Sequence, residues 1–509
     1  MTSKTVARNS VWYGIETGVN LVLTLFTSIA VARSVGPANL GYFLFVWWLV
    51  NLASSIGSLG IPTATRKYIG EYFGKGEPGI VRAVFVATLR LQTWIALGVT
   101  ALSVAIVLTT AEPAYRTVSL LMALSVLPCM VNAIAAQANC GLEDLSANVP
   151  ASLVSTGIFV SSVVLSIVFG WGLLGISVGL VTMRTVELFV RLVPLWRRMK
   201  LFPVDELPAD IKTRMFHFSS QSLILMVLSL VVWDRSELLF LKTLCPDIRQ
   251  VAFYSVAFNV TERLLVISQI FGTAVGASVM VQYGRDDTRL GPMVSDSTRY
   301  LGLIAFPVHL GVAALAAPIM LLTYGGKYAP AAPALAIAAV FGMPKAFMAP
   351  VTSLFQSYGR QDVLIRWGIV AGILNIALDL VLIRRYGAIG AALANGITQT
   401  FSAGLFWFIA TRRYHLRLPI GFLLKVLVAG SAMAGIVVLA TYRLSFPQAI
   451  GLGIPMGAIA YCALVRFMKL LDLQDRRRLS QLRRQVPEPL QHWFDSGLAV
   501  LIPANAEGK

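Results

Sequence analysis

The chain has little charge and little of the chemistry that soluble enzymes carry. Only 13% of its 509 residues are Asp, Glu, Lys or Arg, about half the share of an ordinary soluble domain. Its four cysteines, at 129, 140, 245 and 462, form no CxxC pair, so neither a disulfide scaffold nor a zinc ribbon is encoded. There are four histidines and no recognisable metal-ligand spacing. Phosphate-binding loops, kinase signatures and dinucleotide fingerprints are missing too. No polar stretch is long enough for an external catalytic domain. These absences point away from an enzyme: no catalytic residue, no metal and no cofactor is expected.

What is present is apolar surface. Hydrophobic residues make up 57% of the chain, and mean hydropathy is +0.73. One soluble core cannot hide that much. Apolar runs occupy 10–32, 42–61, 84–110, 117–139, 150–169, 171–190, 216–240, 251–280, 300–323, 331–352, 367–383, 388–410, 420–441 and 446–465. A helical crossing needs about 20 residues, so these read as about 14 transmembrane helices of an all-α polytopic membrane protein. Lys and Arg exceed Asp and Glu by 42 to 24, a net charge of +18. In a soluble chain that excess would suggest nucleic acid. Here no nucleic-acid partner is expected, because basic residues collect on the cytoplasmic side of membrane proteins. With the N-terminus inside, the inner segments hold 28 Lys and Arg and the outer loops 8. That split favours an even span count and both termini in the cytoplasm.

Landmarks recur. Ala32-Arg33-Ser34-Val35-Gly36-Pro37 follows the first run, and Leu241-Lys242-Thr243-Leu244-Cys245-Pro246 follows the seventh. Aromatic-rich helix starts come next, at Tyr42-Phe43-Leu44-Phe45 and Phe253-Tyr254-Ser255-Val256-Ala257-Phe258. Tyr72-Phe73-Gly74-Lys75 and Tyr283-Gly284-Arg285 close the pattern. Six-helix halves repeating in parallel imply a pseudo-axis along the membrane normal and a cleft between lobes. The expected layout is an N-terminal lobe (1–190), a cytoplasmic linker (191–215), a C-terminal lobe (216–410), helices 13 and 14 (411–466) and a basic cytoplasmic tail (467–509). Arg476, Arg477, Arg478, Arg483 and Arg484 suit the tail either to anionic lipid or to plain positive-inside anchoring.

Ionisable groups inside spans are costly, so they face a cavity, pair with each other or snorkel. Arg90, Arg184, Arg235 and Arg263 are fixed cations in the duplicated core. A guanidinium pairs bidentately with phosphate and stays charged, which makes these four the candidates for an anionic headgroup. Glu16, Glu187, Asp234, Glu237, Asn259 and Glu262 are candidates for lining the cavity or coupling an ion. The alternative for each is local pairing. Asp234 and Glu237 could pair with Lys242, and Glu262 with an arginine. A proton or sodium ion is the candidate coupling ion.

Ala32-Arg33-Ser34-Val35-Gly36-Pro37-Ala38-Asn39-Leu40-Gly41-Tyr42 resembles the first-loop pattern of bacterial polysaccharide-unit exporters, as does Leu59-Gly60-Ile61-Pro62-Thr63-Ala64-Thr65-Arg66-Lys67-Tyr68. Tyr324-Gly325-Gly326-Lys327-Tyr328 with Pro330-Ala331-Ala332 is similar to the outer turn after that family's ninth helix. The chain thus resembles the flippases of O-antigen, capsular and exopolysaccharide repeat units, within the multidrug/oligosaccharidyl-lipid/polysaccharide exporter superfamily. The resemblance implies a V-shaped transporter of two six-helix lobes in the bacterial inner membrane. It would move an undecaprenyl-pyrophosphate-linked saccharide from the cytoplasmic to the outer leaflet by alternating access. Membrane lipids and glycan polymerase machinery would be its partners. Two rival functions stand beside it, a proton- or sodium-coupled multidrug exporter and a membrane-embedded glycan polymerase or ligase.

Overall fold

Backbone amides in lipid have no water to bond, so apolar runs of this length satisfy themselves as helices. The computed structural model describes residues 3–232, 236–285, 290–358, 360–414, 416–472, 475–476, 480, 491–492 and 502, with no strand among them. Side chains are described for fewer, since those of residues 1–17, 228–232, 269–289 and a few single positions lie outside. Two units are formed, Met1–Ala252 and Phe253–Lys509.

In the first unit α1 (Ser3–Gly57) carries both of the first two apolar runs. The turn expected between them shrinks to one break at Gly36, whose φ of 78° suits glycine. Pro37 follows and cannot donate to the preceding turn. Next comes α2 (Ile61–Gly74), a short amphipathic helix with Ala64, Tyr68, Ile69 and Tyr72 buried and Arg66 and Lys67 exposed. The segment 62–83 is therefore largely helical. α3 (Pro78–Thr110) starts on a proline, which costs nothing where the N–H has no helical partner. The fourth run is broken at Ser125 into α4 (Arg116–Leu124) and α5 (Val126–Gly141). α6 (Val149–Val168) and α7 (Gly172–Lys200) are joined by a tight turn with Gly170 at φ 70° and Gly172 at φ 55°. α8 (Ala209–Val232) and α9 (Glu237–Leu244) follow.

Within 191–215 only residues 201–208 are non-helical. They are held against the start of α3, where Arg82 Nη1 donates to the Phe202 carbonyl at 2.8 Å. A Cβ at Gly79 would collide with the Asp205 carboxylate. Leu195 and Met199 of α7 and Ile211 and Met215 of α8 join the core cluster of Tyr68, Phe85 and Ile134.

α10 (Arg249–Arg285) spans the boundary between the units. In the second unit α11 (Leu290–Ala314) and α12 (Ala316–Thr323) form one run bent by 67°. Then come α13 (Ala332–Ala346), α14 (Met348–Ser357), α15 (Gln361–Tyr386) and α16 (Ala388–Tyr414). α17 (Ile420–Thr441) and α18 (Phe446–Phe467) match the last two apolar runs closely. Ser445 and Gln448 form a capping box at the start of α18, satisfying amides that the first turn leaves open.

The chain after α18 turns at Lys469 (φ 46°). Leu470 and Leu471 then join the core of Leu301, Phe306, Phe347 and Val426. Asp475 is 1% exposed. It accepts from Arg299 Nη2 and Tyr300 Oη, each at 2.7 Å. The start of the basic tail is thus docked on the first half of α11, at Arg299 and Tyr300. Nine helices of the described residues are long and apolar enough to cross a membrane, or up to ten if the bent pair counts as one span. Fourteen is the number of apolar runs, several of which are here broken into shorter helices.

Candidate functional site

An arginine halfway along a membrane-spanning helix needs acceptors within reach. α7 is such a helix, and Arg184 stands about 18 Å along it from Gly172 at 1.5 Å per residue. Arg184, Glu187 and Arg191 recur at i, i+3 and i+7 and share one face. Glu187 Oε1 accepts from Arg191 Nη1 at 3.0 Å, and the same Nη1 donates to Asn132 Oδ1 of α5 at 2.6 Å. Arg184 Nη1 lies 4.0 Å from Glu187 Oε2, an ion pair but longer than a hydrogen bond. Side-chain exposure falls from 23% at Arg184 through 14% at Glu187 to 6% at Arg191. Two cations share one carboxylate, so the group carries a net positive charge with its outermost guanidinium reachable. That arrangement can hold an anion of phosphate type.

The other sequence candidates lie on other helices or outside the described residues. Arg90 is exposed on α3 and makes no ion pair among the described residues. Glu16 lies in α1, its side chain outside the described part. One turn on, Asn20 bridges α1 to α6, donating to Ser152 Oγ at 2.9 Å and accepting from Thr156 Oγ1 at 2.7 Å. Asp234 and Arg235 fall outside the described residues. Glu237 opens α9 fully buried. Lys242, expected beside these acids, has its Nζ 3.8 Å from Glu112 Oε1.

In the second unit Asn259, Glu262 and Arg263 share α10, with Glu262 exposed and the other two half-buried. Glu262 lines an open recess of about 400 Å³, solvent included, together with Tyr254, Lys345, Asn395 and Gln399. Gly342 also lines it, and a Cβ there would strike the His309 ring. His309 is 1% exposed, with Nδ1 2.8 Å from the Ala305 carbonyl.

Three polar features escaped the sequence reading. Arg191 was assigned to the linker because its apolar run was ended at residue 190. Its spacing from Glu187 was the available signal. Asn375 and Asp379 are both fully buried in α15, with Nδ2 donating to Oδ2 at 2.9 Å. They stand i,i+4 within the run 367–383. Asp475 looked like part of a charged tail. No cluster of His, Cys, Asp or Glu among the described residues could hold a metal ion.

The profile of the polysaccharide biosynthesis protein family matches residues 30–333, more than half of the chain. The chain belongs to that family. The profile of the lipid II flippase MurJ matches residues 265–452 of this polysaccharide biosynthesis family member. No curated protein sequence matches it. Solved structures do. Lipid II flippase MurJ in an inward closed conformation aligns with a TM-score of 0.74 at 15% identity, covering 90% of this chain and 98% of its own. An inward-facing multidrug resistance MATE family transporter of the MOP superfamily gives 0.67 at 15% identity, covering 80% and 98%. A MOP superfamily transporter from Pyrococcus furiosus, described as having a binding pocket of reverse polarity, gives 0.58 at 15%, covering 81% and 96%. At such identities the likeness speaks to fold. This family member is a multi-pass membrane protein with the fold of MurJ and MATE transporters, and its matches are transporters and flippases.

Proposed function

We propose that the chain moves an undecaprenyl-pyrophosphate-linked saccharide, or a related anionic lipid-linked glycan, from the cytoplasmic to the outer leaflet by alternating access. The observation that carries this is the net-positive Arg184–Glu187–Arg191 group halfway along a spanning helix, in a chain of the polysaccharide biosynthesis family. A pyrophosphate offers paired oxygens that a planar guanidinium fork can meet bidentately. The lipid tail stays in the bilayer while the headgroup exchanges water for Arg184, with Arg90, Arg235 and Arg263 as further contacts. No bond is made or broken. The protein works in the bacterial inner membrane with both termini cytoplasmic, and glycan polymerase machinery receives its product. A proton or sodium ion drives the cycle through acids such as Glu262.

The test is leaflet exchange of a pyrophosphate-linked glycolipid in proteoliposomes. Wild type accelerates it, and Arg184→Gln with Arg263→Gln slows it while the protein remains folded. Normal exchange in the folded double variant rejects the headgroup role. The buried Asp379 and Glu237 and the MATE fold favour a second reading, export of cationic drugs. Drug-driven proton or sodium flux in the same vesicles would establish that reading instead.

A further inference from the structure

We infer that Arg191, fixed by Asn132, is a positioning residue that occupies Glu187 and so leaves Arg184 available to an anion. The inference rests on the headgroup reading of Arg184 and goes beyond it.

Three charges on one helix face can pair in two ways. Glu187 stands i,i+3 from Arg184 and i,i+4 from Arg191, so either guanidinium is within reach. The structure chooses Arg191, with a hydrogen bond of 3.0 Å on that side and 4.0 Å on the other. Burial supplies the reason. Arg191 is 6% exposed, and a guanidinium so enclosed needs an ionised partner. Asn132 on α5 adds a second acceptor at 2.6 Å, which fixes the rotamer of Arg191 and pulls the carboxylate with it. Arg184, more exposed and making no hydrogen bond among the described residues, keeps its planar donors. Without Arg191, Glu187 would turn to Arg184, fork its two oxygens onto the guanidinium and cancel the charge meant for phosphate.

A staple that merely ties α7 to α5 would use the same contacts, so the test must move charge without moving structure. Full-length protein in nanodiscs is titrated with undecaprenyl pyrophosphate, with uncharged undecaprenol as the comparison lipid. Arg184→Gln weakens binding about tenfold, the worth of one charge-assisted hydrogen bond. Arg191→Gln weakens it by a similar factor although Arg184 is intact. Glu187→Gln tightens binding, because both cations then go uncompensated. The Glu187→Gln/Arg191→Gln pair returns to near the wild-type affinity, since no carboxylate remains to capture Arg184.

Rescue in the double variant, together with tightening in Glu187→Gln, supports the positioning role. If Arg184→Gln weakens binding but the folded double variant stays as weak as Arg191→Gln, the inference is overturned while the headgroup reading survives. If Arg191→Gln does not fold, Glu187→Gln alone decides, and weaker binding in that variant overturns the inference. Wild type that prefers the pyrophosphate no more than undecaprenol, or Arg184→Gln that binds as wild type, removes both.

Discussion

Replacing Asp475 with alanine strips an acceptor from three donors at once. Its buried carboxylate takes hydrogen bonds from Arg299 Nη2 and Tyr300 Oη at 2.7 Å and from the Asp472 amide at 3.0 Å. Removing one partner of a buried ion pair costs about 3–5 kcal/mol. Arg299 keeps 22% side-chain exposure and stacks 4.5 Å over Phe422, so water and the ring recover part of the loss. The low end, about 3 kcal/mol, is the better figure, or roughly a 100-fold change in the local opening equilibrium. It falls on the docked tail, where Leu470 and Leu471 are buried, the Leu470 amide donates to the Val465 carbonyl at 3.1 Å and Arg299 Nη2 reaches the Leu470 carbonyl at 3.4 Å. Hydrogen exchange on peptides covering 468–476 reads that opening. Asp475→Ala should exchange about 100-fold faster there, with α17 and α3 unchanged. Asp475→Asn keeps an acceptor but loses the charge, and should fall between. Exchange in Asp475→Ala within about threefold of wild type would mean the apolar contacts and the two hydrogen bonds on Leu470 hold the tail without the carboxylate.

Three further outcomes follow from the packing and the charges. Glu71 is held below the usual glutamate range, first by the hydrogen bond from Lys75 and then by that from Arg214. Its folded pKa is depressed, so its stabilisation is complete above the ordinary glutamate value and lost as pH falls through the lowered one. Between about pH 5 and about pH 3 the thermal midpoint of wild type should therefore drop more than that of Glu71→Gln. A Cβ at Gly390 would collide with the Leu382 carbonyl, so Gly390→Ala should cost about 1–3 kcal/mol or more. Gly435→Ala, with nothing within 4 Å, should leave the midpoint level or slightly raised; equal effects from the two would refute the close-approach argument. Asn20→Ala breaks both polar links from α1 to α6, each worth about 0.6–1.7 kcal/mol in a membrane protein; an unchanged midpoint would count against them.

Hydropathy made the all-helical membrane fold legible, and for α6, α17 and α18 it placed the ends within two residues. It failed where helices run past their apolar part. α7 continues ten residues beyond 190, because its last turns are packed by Leu195 and Met199 against a protein core rather than lipid. That same overrun hid Arg191. Breaks were missed for the converse reason: at Ser125 and Leu315 the helix is interrupted while the run around it stays apolar. Arg184 and Glu187 were recognisable as neighbours from spacing alone. Which arginine takes the carboxylate was not, because that depends on Asn132, 59 positions away.

At Gly396 on α16 a Cβ would overlap the Phe341 ring of α13, so the ring rests in a notch that only glycine leaves open. One turn to either side the helix carries Ala392 and Thr400, each with a Cβ where Gly396 has none. A shift of α13 by one turn would bring the ring against a Cβ, so the glycine notch works like a detent between α13 and α16. In the alternating-access cycle proposed above, this pair would move as one lever.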